Sequence, residues 1–81
     1  MTEKQWLERF SQGLGIEPPT AEEREALLAL AGLAAHASER TAAPISCWLA
    51  AKAGVTAQQA KELAAELSEA AAAQTSPEGS S

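Results

Sequence analysis

The chain contains no aspartate and no asparagine, and only one cysteine and one histidine among its 81 residues. Each shortage closes an option. A single cysteine forms no disulfide within one chain, which favours a reducing compartment. Without Asn or Asp, a Cys–His nucleophilic pair lacks the residue that would orient its imidazole. One Cys and one His also fall short of the three or four ligands that zinc requires. No catalytic residue, metal or cofactor is therefore expected, and the chain reads as a non-enzyme. Lys plus Arg number 6 against 11 Asp plus Glu, for a net charge of −5. No basic run occurs, so nucleic acid and anionic membrane are poor partners, since both are recognised by clustered cations. Neither a signal-peptide core nor an apolar run of about 18 residues is present, so a soluble, cytoplasmic protein is expected. Strand alternation and Asn-Gly or Asp-Gly hairpin signals are missing too.

What remains is alanine, leucine and well-placed threonine. A chain this short buries only about 60% of the surface its unfolded form exposes. Alanine adds little area to that burial, so a lone monomer approaches break-even. A partner or an oligomer is expected on size alone.

Thr2-Glu-Lys-Gln5, Thr20-Ala-Glu-Glu23 and Thr56-Ala-Gln-Gln59 each fit the capping box, in which Thr and a residue three positions on satisfy each other's backbone N–H groups. The patterning predicts an all-α, four-helix bundle-like domain over 1–73, with helices at about 3–13, 21–39, 44–53 and 57–73, and a disordered tail over 74–81. Trp6, Leu7, Phe10 and Leu14 share a face of the first helix, and Gly13, Gly15 and Pro18-Pro19 end it. The second helix opens with Glu22, Glu23 and Glu25 and closes near Arg40, matching the helix dipole at both ends. It is apolar nearly all round, which predicts a central helix or one whose second face meets a partner. Gly32 in its interior predicts close approach of another backbone. Pro44 suits the first turn of the third helix and Gly54 its stop. Ala60, Leu63, Ala64, Leu67 and Ala70/Ala71 form one stripe of the fourth.

The stretch His36–Gly54, "HASERTAAPISCWLAAKAG", collects the unusual side chains. Helical spacing puts His36 and Arg40 one turn apart on one face, and the turn that follows brings Cys47 and Trp48 back toward them. The bland readings are a helix-end cap for His36, dipole compensation plus a carboxylate such as Glu39 of a neighbouring chain or Glu17 for Arg40, a small buried apolar role for Cys47, and core positions for Trp6 and Trp48. The sharper reading is a recognition surface, in which a partly exposed tryptophan is a natural hot spot. Two fold analogies fail. "AGVTAQQAKELAAEL" has the cadence of a helix-turn-helix, but Glu62, Glu66 and Glu69 would repel duplex DNA. An acidic four-helix domain evokes an acyl carrier protein, but the Asp-Ser-Leu attachment site is absent.

"LAGLAAHASERTAAPISCWLAAKAG", residues 30–54, resembles the hallmark of a small actinobacterial family of uncharacterised function, with Trp6-Leu7 and Leu14-Gly15-Ile16 extending the likeness. The matching positions are His36, Arg40, Ala42, Ala43, Pro44, Trp48, usually Phe in that family, and Leu49. Thr41 stands where proline is frequent and Cys47 where threonine is, which argues against a shared nucleophile. Members resemble free-standing proteins or C-terminal appendages of molybdenum cofactor guanylyltransferases, in a gene setting like that of formate dehydrogenase maturation. The resemblance implies an accessory subunit for a molybdoenzyme or an enzyme of its cofactor pathway, carrying no catalytic role. His36, Arg40, Pro44 and Trp48 are the expected partner-binding residues. A pocket at the same corner for an anionic pterin or nucleotide, and a homodimer packing the second helix on itself, stay open as alternatives.

Overall fold

The computed structural model describes residues 1–74, with side chains up to residue 70. It contains four helices, α1 Glu3–Leu14, α2 Ala21–Ala37, α3 Ala42–Ala53 and α4 Ala57–Gln74, and no strand among the described residues. Gln74, expected to open the tail, is the last residue of α4. The rest of the expected disordered tail lies outside the described residues.

All three threonine boxes form. Thr2 and Gln5, Thr20 and Glu23, and Thr56 and Gln59 exchange backbone-to-side-chain hydrogen bonds of 2.8–3.1 Å in both directions. α1 closes on Gly15, left-handed at φ 74. There Gly15 N–H donates to the Gln12 carbonyl and Ile16 N–H to that of Ser11, the pairing of a Schellman motif. Gly54, at φ 78, ends α3 in the left-handed region as well.

The corner between α2 and α3 differs from expectation. α2 stops at Ala37, because Ser38 leaves helical geometry (φ −139, ψ −97) while its backbone N–H donates to the Ala34 carbonyl. Its hydroxyl donates to that same carbonyl at 2.9 Å. Arg40 is thus off the helix, in a turn, and does not share a helical face with His36. α3 begins at Ala42, two residues before Pro44. The early start costs nothing, since the first four N–H groups of a helix have no intrahelical acceptor and proline at the third position gives none up.

α2 packs against both α4 and α3, while α3 and α4 barely touch each other. α2 is therefore the central helix. α1 joins none of these helix packings. Lys4, Leu7 and Glu8 line a small recess with Pro18 and Pro19, and Ser11, the buried residue of α1, donates its hydroxyl to the Leu7 carbonyl. Glu3 pairs with Arg24 at the start of α2. The molecule is elongated, 52 × 25 × 19 Å.

Little is sealed from water. Among the described residues, Ala26, Leu30 and Ala60 are the buried apolar ones, and no large side chain is fully enclosed. The tryptophans are not core: Trp6 is 56% and Trp48 59% exposed. Gly32 is not a site of close approach, since a Cβ built there meets nothing within 4 Å.

Candidate docking surfaces

Two apolar surfaces stand open. The first is a groove of about 450 Å³ where the C-terminal half of α2 diverges from α3 and α4. Leu30 and Leu33 form its floor, Leu49 and Val55 one wall, and Leu63 and Leu67 the other. Its polar groups are the hydroxyls of Ser38, Ser46 and Ser68, and no charged side chain lines it. Leu49, Leu63 and Leu67 are each more than half exposed. The groove arises because α3 and α4 each pack on α2 but barely on each other. In the sequence its signals are the apolar stripe of α4 and the nearly all-round apolar character of α2, which calls for a second face to be covered.

The second surface is the outer side of α3. Pro44, Ile45 and Trp48 are all exposed, and the Lys52 ammonium sits 4.8 Å from the Trp48 ring centroid, a cation–π arrangement. Pro44 and Trp48 are one turn apart and point away from the groove, whose α3 wall is made by Ala42, Ser46, Leu49, Ala50 and Ala53. His36 is exposed near the end of α2 and Arg40 exposed in the turn. The four residues expected to bind a partner thus lie along the α2–α3 corner and the outer face of α3.

Within the chain, neither the helix cap expected of His36 nor a Glu17 partner for Arg40 forms among the described residues. Ser38, not His36, bonds a carbonyl of the last α2 turn. Among the described residues the ion pair is Glu3–Arg24, and Glu17 does not reach Arg40. Cys47, expected to be buried, is only partly enclosed on α3, though that burial is enough to push its thiol pKa up. That is the opposite of what a nucleophile requires. Among the described residues no three His, Cys, Asp or Glu side chains gather as a metal site would need, and no helix is long and apolar enough to cross a membrane.

Fold and surfaces together define a small all-helical protein built around one central helix, with an open apolar groove. The chain belongs to the family of the domain of unknown function DUF6457, whose model matches residues 1–79. No curated protein and no solved structure matches it.

Proposed function

We propose that this protein is a non-catalytic accessory subunit that docks on a protein partner through the outer face of α3 and the adjoining corner, with Trp48 as anchor and His36, Arg40 and Pro44 around it. The observation that carries this reading is the 59% exposure of Trp48, flanked by Pro44 and Ile45 on a helix whose opposite side is committed to the groove. Leaving a tryptophan in water sacrifices the largest burial a side chain offers. Tryptophan and arginine are also the residue types most enriched at interface hot spots. The guanidinium of Arg40, paired with no carboxylate among the described residues, supplies a fork of donors for a carboxylate of the partner. The resemblance of residues 30–54 points to a molybdoenzyme such as formate dehydrogenase, or to an enzyme of the molybdenum cofactor pathway, as that partner.

The test is co-purification of the tagged chain from its native cells at moderate salt, with identification of whatever accompanies it in stoichiometric amount. A molybdoenzyme or cofactor-pathway enzyme is expected, and an Arg40→Ala/Trp48→Ala variant should lose it while keeping its helicity. Recovery of the same partner by that variant would remove the α3 face from the reading. Tryptophan quenching by a pterin phosphate or nucleotide, with no protein recovered, would replace it with the small-ligand alternative.

A further inference from the structure

We infer that the groove between α2, α3 and α4 is filled by α1 of a second copy of this chain, the two copies exchanging their first helices about a twofold axis. The inference goes beyond the α3 face and does not depend on it, because Trp48 lies outside the groove.

Three observations converge on α1 as the occupant. First, α1 is an apolar-faced helix without a mate. Trp6 stacks on Phe10 with ring centroids 5.7 Å apart, and Trp6, Phe10 and Leu14 are each more than half exposed. A helix of 12 residues is marginal in water unless its apolar face is packed. Second, the groove and the apolar stripe of α1 agree in length. Trp6 to Leu14 spans about 12 Å at the α-helical rise, and the groove follows α4 from Ala60 to Ser68 and α2 from Leu30 to Ser38, about 12 Å along each. Trp6, Phe10 and Leu14 recur every four residues, the spacing that seats one helix in the furrow between others.

Third, charge selects α1 from within this chain. Glu3 and Glu8 balance Lys4 and Arg9, so the whole net charge of −5 lies outside α1. The groove itself carries no charge, but the exposed α4 surface beside it bears Glu62, Glu66 and Glu69. A neutral helix that presents Lys4 and Arg9 approaches that surface without the repulsion an acidic segment would meet.

Exchange between copies, rather than closure within one, follows from the connection. Gly15 turns the chain, and Pro18-Pro19 stiffens it beside the N-terminal end of α2. There Glu3 grips Arg24, and Lys4, Leu7 and Glu8 line a small recess with the prolines. The groove lies at the other end of α2. Seating α1 in its own groove would break the ion pair and dismantle that recess. Seating it in a neighbour's keeps the connection as an arm, and mutual exchange makes a closed, isologous dimer.

The experiment is the solution mass of the full chain by sedimentation equilibrium, with two variants. Trp6→Glu/Phe10→Glu spoils the inserting helix, and Leu63→Glu/Leu67→Glu spoils the groove. The native chain is expected at twice the chain mass at micromolar concentration, and each variant alone at the monomer mass. An equimolar mixture of the two variants should recover a heterodimer, because one intact α1 still meets one intact groove. A groove-to-groove or α2-to-α2 dimer would survive Trp6→Glu/Phe10→Glu and gain nothing on mixing. Either of those results, or a native chain that stays monomeric, overturns the inference. Should the groove variant fail to fold by circular dichroism, the α1 variant decides alone, since α1 packs on no other helix of its own chain and its loss leaves α2–α4 intact.

Discussion

α1 and the α2–α4 assembly are capped equally well and packed quite differently. Thr2–Gln5 closes α1 with the same reciprocal bonds that Thr20–Glu23 supplies to α2, and α1 has the better C-terminal motif. Yet α2–α4 hold the three buried apolar residues, Ala26, Leu30 and Ala60, whereas α1 stands apart. The difference separates two things a sequence encodes. Capping fixes where a helix begins and ends from residues within one turn of it. Packing decides whether that helix belongs to the same cooperative unit, and it draws on residues far apart in the chain.

The sharpest way to break this comparison is a truncation in each region. Leu30 is 4% exposed, so Leu30→Ala should cost about 2–5 kcal/mol of unfolding free energy in urea titrations. Such a loss is large enough to unfold so small a domain. Trp6→Ala should change the stability of the monomer by no more than about 0.5 kcal/mol, provided the titration is run at a dilution where the chain is monomeric. Equal losses at the two positions would mean that α1 shares the core after all.

The caps sharpen it further. Thr20→Ala removes one of the two bonds at the start of the central helix and should lower global stability by about 1 kcal/mol. Thr2→Ala removes the equivalent bond from α1 and should leave the global transition in place. Its effect should show instead as faster amide exchange confined to α1, the signature of a helix that opens on its own. A matching shift of the whole transition for both variants would contradict the division.

The legibility of the sequence follows the same division. The boxes at Thr2, Thr20 and Thr56 place three helix starts correctly because the capping bonds are local, and Gly15 and Gly54 place two ends because left-handed backbone favours glycine. The end of α2 was not legible. Arg40 carries the charge that suits a helix terminus, but Ser38 breaks the helix first with a hydroxyl bond to the Ala34 carbonyl, and serine gives no unambiguous stop signal. The start of α3 at Ala42 was obscured by Pro44, which tolerates any position in the first turn. The groove was half legible: the all-round apolar character of α2 called for a second covered face, but a leucine that lines an open furrow and one that sits in a core have the same spacing, so its walls were not. Of the expected recognition residues, Pro44 and Trp48 share a face because they share a helix. The placement of His36 and Arg40 required knowing where α2 stops.

Gly32 offers a gain rather than a loss. Sequence reasoning gave it a backbone neighbour, and the structure gives its Cβ direction open space. Helical backbone there suits alanine, so Gly32→Ala should stabilise the chain by up to about 1 kcal/mol, read as a higher urea midpoint at unchanged slope. A loss would mean that a partner's backbone lies on this side of α2 in solution. That outcome would revive the α2-on-α2 dimer, and it would appear only at concentrations where the mass doubles.

The smallest effect belongs to the Glu3–Arg24 pair, the one link between the two regions that involves charge. Both side chains are about half exposed, 54% and 44%, so water screens the attraction and holding two long side chains together costs entropy. Glu3→Gln should therefore change monomer stability by less than about 0.5 kcal/mol, and salt should erase even that. The interest lies in the position of α1 rather than in the energy. If the pair helps hold α1 beside the prolines and away from its own groove, Glu3→Gln should loosen the arm without weakening the contact between α1 and the groove. Part of the dimer population could then revert to monomers with α1 closed onto their own groove. Paired spin labels on α1 and α4 of one chain, diluted with unlabelled protein, would detect that closure as a new short distance. An unchanged distance distribution would assign the separation of α1 to the proline connection alone.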